Sequence, residues 1–247
     1  MTDASIISAT GVTKSFALGA RRIDAVRGID LTIETPGFYA IMGPSGSGKS
    51  TLLHLLAGLD TADQGAISVA GERLDALSEQ ELTMFRRRRI GLVFQRFNLI
   101  PTLTALENVA LPAMLDGMPR SEREARAQEL LEQLGLGDRV THRPDALSGG
   151  EQQRVAIARS LIFEPQVLFA DEPSGNLDSE ASAALWSLIR DLTEGTGRTV
   201  IMVTHEPDAA LHTRHIFLLR DGVIHDSFET EGLDAASLAT RMQHAGR

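Results

Sequence analysis

No cysteine occurs among the 247 residues. That excludes disulfides, iron–sulfur ligation and thiolate zinc sites, and it suits a reducing compartment. Nor is there an excess of positive charge. The 24 Lys and Arg stand against 33 Asp and Glu, for a net charge of −9, so bulk attraction to nucleic acid or to an anionic bilayer is not expected. No apolar run approaches the roughly 18 residues of a membrane span. Met1-Thr2-Asp3-Ala4-Ser5 lacks the basic and apolar regions of a signal peptide. The chain therefore reads as soluble and unsecreted, with any membrane role entering through a partner chain. Its length allows one large α/β domain or a core with a subdomain.

What is present is organised around Gly43-Pro44-Ser45-Gly46-Ser47-Gly48-Lys49-Ser50-Thr51, which fits the phosphate-binding pattern G-x-x-x-x-G-K-[ST]. The apolar run Phe38 to Met42 before it reads as a buried strand. Leu52, Leu53, Leu55, Leu56 and Ala57 after it read as a buried helix stopped by Gly58. Glycines let the backbone curl around phosphate oxygens, and the helix N-terminus favours an anion. Lys49 is placed to reach the β- and γ-phosphates, and Ser50 to put its hydroxyl on Mg²⁺.

Earlier in the chain, Ile6 to Phe16 and Val26 to Ile33 read as strands, joined by a loop holding Gly19, Arg21 and Arg22. Ile67 to Ala70 and Ile90 to Phe94 read as further strands, with the basic run Arg86 to Arg89 between them as a solvated helix end or a contact surface. From Phe97 to Ile162 helical periodicity takes over, with capping boxes expected at Ser121–Glu124 and Ser148–Glu151. Strand character returns at Val167 to Ala170 and Val200 to Val203. The helix between them, carrying Leu185, Leu188, Ile189 and Leu192, implies a parallel pair. Asp221-Gly222 marks a hairpin.

Several positions carry chemistry. Asp171 and Glu172 end an apolar strand, where α/β folds present carboxylates to ligands; Asp171 suits the Mg²⁺ shell and Glu172 a base for the attacking water. His205 and Gln95 follow strand ends at the rim of the same sheet, which favours a γ-phosphate contact for His205 and a Mg²⁺ or water contact for Gln95. Phe16, in an early loop, either stacks on adenine or belongs to the core. His212 and His215 are three apart but lack a third metal ligand nearby. Ser148-Gly149-Gly150 is a second capped, glycine-rich helix start. It is either a helix start only or a clamp on phosphate held by a second subunit, and spacing does not choose.

In order along the chain, these motifs resemble those of the ATP-binding cassette (ABC) ATPases. Gly43 to Ser50 resembles their Walker A loop, Gln95 their Q-loop, Leu147-Ser148-Gly149-Gly150-Glu151-Gln152 their signature, and Val167 to Asp171 Walker B with Glu172 as catalytic base. Ser174-Gly175-Asn176-Leu177-Asp178 resembles the D-loop and His205 the switch histidine. The resemblance implies an α/β fold: a P-loop NTPase (RecA-like) core with an N-terminal antiparallel β subdomain and an inserted helical signature subdomain. Residues 1–247 would form one ABC ATPase domain, with 1–96 and 163–247 as the core and 97–162 as the helical part. It further implies ATP and Mg²⁺ as cofactors. Two copies would pack head to tail, with Ser148, Gly149, Gly150 and Gln152 of one closing on ATP held by the other. A transmembrane permease would dock near Gln95 to Leu103, placing the chain at the cytoplasmic face of the membrane.

A narrower likeness lies in Val93 to Pro101, Leu103 to Val109 and Glu172 to Asp178, which resemble the macrolide-efflux and lipoprotein-releasing branch. This favours an exporter of a hydrophobic or amphiphilic substrate. That branch also holds force-transmitting cell-division ATPases. A soluble role on ribosome or DNA is disfavoured by the single motif set and by the short interval between Gln95 and Ser148.

Overall fold

The computed structural model describes residues 5–19 and 21–244. In chain order these form β1 (Ile7–Leu18), β2 (Arg21–Ile33), β3 (Gly37–Met42), α1 (Lys49–Leu56), β4 (Gln64–Val69), β5 (Glu72–Arg73), α2 (Glu79–Arg88) and β6 (Ile90–Phe94). Then follow α3 (Ala105–Leu115), α4 (Arg120–Gln133), α5 (Gly149–Ser160), β7 (Val167–Asp171), α6 (Ser179–Asp191), β8 (Thr199–Thr204), α7 (Pro207–Ala210), β9 (His215–Arg220), β10 (Val223–Glu229) and α8 (Ala235–His244).

The strands make two sheets. One is antiparallel, in the order β2-β1-β4-β5; the other runs β10-β9-β3-β8-β7-β6, parallel from β9 to β6 with β10 antiparallel at the edge. The parallel strands are apolar along their length because both faces are covered. Alternate residues separate the faces. Tyr39 and Ile41 join a core with α1 and the antiparallel sheet, whereas Phe38, Ala40 and Met42 join a core with α3 to α6. Leu52, Leu53, Leu55 and Leu56 of α1 are essentially inaccessible between the two sheets. Each such side chain contributes about 1.5–3 kcal/mol by leaving water.

The register sets the site. Met42 pairs with Thr204, Asp171 with Val203, and Phe94 with Asp171. The segments that follow β3, β6, β7 and β8 therefore all leave the parallel sheet at one rim, which is where the topology of such sheets places ligands.

The structure departs from the sequence reading in three places. Arg21 and Arg22 belong to β2, because the β1–β2 hairpin continues to Leu18 opposite Arg21, and Phe16 accordingly lies within β1 rather than at its end or in a loop. Helix α4 begins one residue before Ser121, with Pro119 at its N-cap and no side-chain cap, so Ser121 lies inside the first turn instead of before it. Two boxes the reading missed are formed instead at Ser78–Glu81 and Thr104–Glu107. The box at Ser148–Glu151 is present. The basic run is the end of α2, and its charges are spent within the molecule: Arg86 on the carbonyl of Gly58, Arg87 and Arg88 on Asp116.

Candidate functional site

The loop from Gly43 to Gly48 is packed so tightly at its two ends that no side chain fits there. A Cβ on Gly43 would lie 1.9 Å from the carbonyl oxygen of Leu219, and one on Gly48 2.2 Å from that of Ala25. Gly48 is the N-cap of α1 at φ 101, and no side chain caps the helix. The first-turn amides, which have no partner inside a helix, thus face the loop's hollow together with the positive end of the helix dipole. Lys49 is buried and donates from Nζ to the carbonyl oxygens of Gly43 and Pro44, each at 2.9 Å. Burial lowers its pKa, while the negative charges of Glu172 and Asp171 oppose that shift. The hydroxyl of Ser47 is buried without a protein partner.

Ser50 Oγ donates to Asp171 Oδ1 at 3.0 Å, bringing together groups 121 positions apart. The other Asp171 oxygen lies 3.9 Å from His54 Nε2. Burial raises the pKa of Asp171, partly offset by the Ser50 hydrogen bond and by His54. Glu172 takes a left-handed backbone conformation, φ 44, while its amide donates to Val203 O at 3.0 Å. Such a conformation is costly for a residue with a Cβ. It turns the carboxylate out of the β7 direction, and Oε1 meets His205 Nδ1 at 2.9 Å.

A cavity of about 570 Å³ opens over the loop, lined by Ser45, Gly46, Gly48, Lys49, Ser50, Thr51 and Glu172. Gly43, Pro44 and Ser47 do not line it, and the carbonyls of Gly43 and Pro44 accept from Lys49. Asp171 reaches it through Ser50, and His205 through Glu172. Gln95 is held differently. The close approach of Gly175 to its side chain leaves 2.6 Å between a Cβ there and Nε2, and Asn176 Nδ2 donates to its carbonyl at 2.8 Å. Phe16 is exposed on β1 and does not line the cavity, but Ile23, directly opposite it on β2, does.

The other residues the sequence reading missed are Asp24, Ala25 and Arg27 of β2, with Asp221 and Gly222 of the β9–β10 turn. The turn had a signal, Asp-Gly, but read only as a hairpin. The β2 residues carry none. Residues Ser148, Gly149, Gly150 and Gln152 are absent from the lining of their own chain's cavity. They start α5, with Gly149 packed toward Leu177, and Gln152 Nε2 donates back to Leu147 O at 3.0 Å.

The donor set fits a nucleoside triphosphate with Mg²⁺. The loop is closed to a Cβ at Gly43 and Gly48, the buried Ser47 hydroxyl lacks a partner, and Ser50 with Asp171 offers hard oxygen donors. Among the described residues no group of three or more His, Cys, Asp or Glu forms a metal cluster. Mg²⁺ held by one or two protein oxygens, with phosphate and water completing its shell, matches that set.

Glycine cradle, buried lysine, hydroxyl–aspartate pair and glutamate on the rim of a parallel sheet define a P-loop nucleoside triphosphatase. Residues 26–175 match the family model described as ABC transporter. The chain belongs to that family, as an ATP-binding and ATP-hydrolysing cassette. An uncharacterized ABC transporter ATP-binding protein of Methanocaldococcus jannaschii is 51% identical over 219 residues, covering 89% of this chain and 97% of that one. The lipoprotein-releasing system ATP-binding protein LolD of Alcanivorax borkumensis is 43% identical, over 89% of this chain and 96% of that one. The macrolide export ATP-binding/permease protein MacB of Bdellovibrio bacteriovorus is 45% identical over 94% of this chain, which spans only 35% of that longer protein. These relatives agree with the macrolide-efflux and lipoprotein-release branch. Among solved structures, a dimeric post-hydrolysis state of the cassette MJ0796 bound to ADP and Pi superposes with a TM-score of 0.84 at 41% identity, covering 92% of this chain and all of that one. Among the described residues, no helix is long and apolar enough to cross a membrane.

Proposed function

We propose that two copies of this chain pack head to tail around two ATP and drive a separate permease at the cytoplasmic face of the membrane. The observation that carries this reading is an unfinished pocket. Ser148, Gly149 and Gly150 form a helix start, exposed at Ser148, that takes no part in lining the cavity of their own chain. A second copy supplies the missing wall, as the dimeric relative suggests. Lys49 and the loop amides neutralise the phosphates, and Mg²⁺, when bound on Ser50 with Asp171 behind it, balances charge on the leaving and transferred groups. Glu172 takes the proton of the attacking water. His205, hydrogen-bonded to Glu172, orients that carboxylate and contacts the γ-phosphate. The base of ATP lies against Ile23 and Phe16, which are 47% and 43% exposed. Gln95, tied to the D-loop, links the γ-phosphate region and Mg²⁺ to the permease contact.

The permease docks beside Gln95 to Leu103. Ile100, Met114 and Leu115 are exposed there, and Leu103 and Met114 line a hollow of about 250 Å³. Exposed apolar side chains clustered in this way fit a partner helix rather than water. The names of the relatives support export of a hydrophobic or amphiphilic substrate, and force transmission without transport is the alternative. Nucleic acid is not a partner on this reading.

Glu172→Gln tests it. The variant keeps ATP binding, hydrolysis falls on the order of 10²–10⁴-fold, and an ATP-dependent dimer accumulates in light scattering. Wild-type turnover in that variant, or a monomer at saturating ATP, would reject the scheme.

A further inference from the structure

We infer that the β9–β10 turn, Asp221–Gly222, and Arg27 of β2 form a support that holds the phosphate loop in its anion-binding shape. This makes Gly222 and Arg27 positioning residues for nucleotide. The inference rests on the nucleotide site proposed above.

The loop has little to stiffen it from within. Its own bonds are Ser47 N–H to Pro44 O at 3.2 Å and the two from Lys49, whose ammonium a phosphate would recruit. Beside the Leu219 carbonyl that crowds Gly43, restraint comes from two distant segments. Gly222 N–H donates to Ser47 O at 3.0 Å, anchoring the loop next to its buried hydroxyl. The carbonyl of Ala25 abuts Gly48 so closely that no Cβ fits between them. These two segments are themselves locked together: Arg27 N–H donates to Gly222 O at 2.8 Å, and Arg27 Nε donates to the carbonyl of Asp221 across 194 positions of sequence. Strand, turn and loop thus form a closed chain of contacts at the cavity mouth, where Arg27, Asp221 and Gly222 all line the wall.

The turn's backbone is shaped for this task. Asp221 and Gly222 both have positive φ, 47 and 79, the shape of a two-residue hairpin turn matched to strand twist. It directs the Gly222 amide to the loop and its carbonyl to Arg27. A Cβ on Gly222 would lie 2.9 Å from Ala25 O and 3.1 Å from Arg27 Cγ, so any side chain pushes the turn away from β2 and pulls the amide from Ser47. Because Asp171, Glu172 and His205 leave the sheet on other strands, disturbing the support changes binding of the diphosphate portion and spares the chemical step.

The test uses Mg²⁺–ADP, which binds without turning over, with the unliganded melting midpoint of each variant as a folding check. Gly222→Ala is expected to raise the ADP Kd about 10-fold and Arg27→Ala about 3- to 10-fold, the effect of losing one hydrogen bond that orders the site. KM for ATP rises in parallel while kcat at saturation stays within about 2-fold. Arg27→Lys, which keeps a cationic donor, restores most of the affinity. Unchanged ADP affinity in Gly222→Ala and Arg27→Ala, with Lys49→Ala losing it, would overturn the support while leaving the site intact. Affinity retained in Lys49→Ala would instead overturn the site. Loss of binding that merely follows a fall in folded protein, or a fall in kcat with KM unchanged, would also overturn the support.

Discussion

Helices α1 and α5 both have glycine at their starts, yet they are built to different ends. At α1 the cap is Gly48 with no side-chain bond, and no acidic residue lies in the first turn. At α5 the cap is Ser148, whose Oγ accepts from Glu151 N–H at 3.3 Å while Glu151 Oε2 accepts from Ser148 N–H at 2.8 Å. The first start leaves its amides open, braced by Ala25 and Gly222; the second engages its Ser148 and Glu151 N–H groups in a capping box and stays outside the cavity. A helix start becomes a complete anion site only when nothing of its own chain caps it and something else holds it still. The α5 start can serve an anion only as a closing surface.

The largest expected effect breaks the α1 side. Gly48→Ala must fit a Cβ 2.2 Å from Ala25 O at φ 101, a position that requires backbone movement. ADP binding should weaken by at least about 100-fold, from strain of a few kcal/mol plus the displaced loop. The matching change at α5, Gly150→Ala, meets only Ala181 Cβ at 3.4 Å, an ordinary contact. It should leave ADP binding to the single chain unchanged and reduce ATP hydrolysis, which needs the facing copy. Titration of Mg²⁺–ADP into both variants decides; equal losses would erase the distinction between the two starts.

How much of this was visible in the sequence follows from the same contrast. The strand–loop–helix unit, the strand ends at Asp171 and Thr204 and the Ser148 box were readable, because each is a local pattern with a local cause. Asp221-Gly222 was readable as a turn but not as a support, since its role depends on Ser47 lying beside it. Ala25 and Arg27 act through backbone atoms and a long-range packing register, which no residue type announces. The end of β1 reads at Phe16 instead of Leu18 because its alternation is broken by register shifts between Ala9 and Ser15, which hide the hairpin's true length. The capping boxes at Ser78 and Thr104 were plain in the sequence and passed over; Ser121-Glu122-Arg123-Glu124, the same pattern, was defeated by Pro119, which starts the helix earlier.

A smaller effect sharpens the α5 side. Ser148→Ala removes the cap and should lower stability by about 1 kcal/mol, a drop of about 2–4 °C in melting midpoint for a chain of this size. Single-chain ADP affinity should not change. A variant that melts like the wild type would mean that the Ser148 side chain contributes nothing to the helix.

The smallest effect is an acid-range pH dependence that α5 has and that α1, with no acidic residue in its first turn, lacks. The Glu151 carboxylate is held below its ordinary pKa first by the Ser148 backbone N–H, then by the Ser148 hydroxyl and Arg139, against the opposing effect of burial. A depressed folded-state pKa means that the ionised form favours the folded state. The contribution is therefore fully present above the ordinary glutamate pKa of about 4.3 and is lost as pH falls through the lower folded value. Glu151→Gln lacks that titration. Its melting midpoint should lie below that of the wild type at neutral pH, and the two curves should converge as the solution is acidified past pH 4. Parallel curves would show that the carboxylate charge adds nothing to the α5 start. That would leave the neutral hydroxyl as its only cap and bring α5 closer to the bare start of α1.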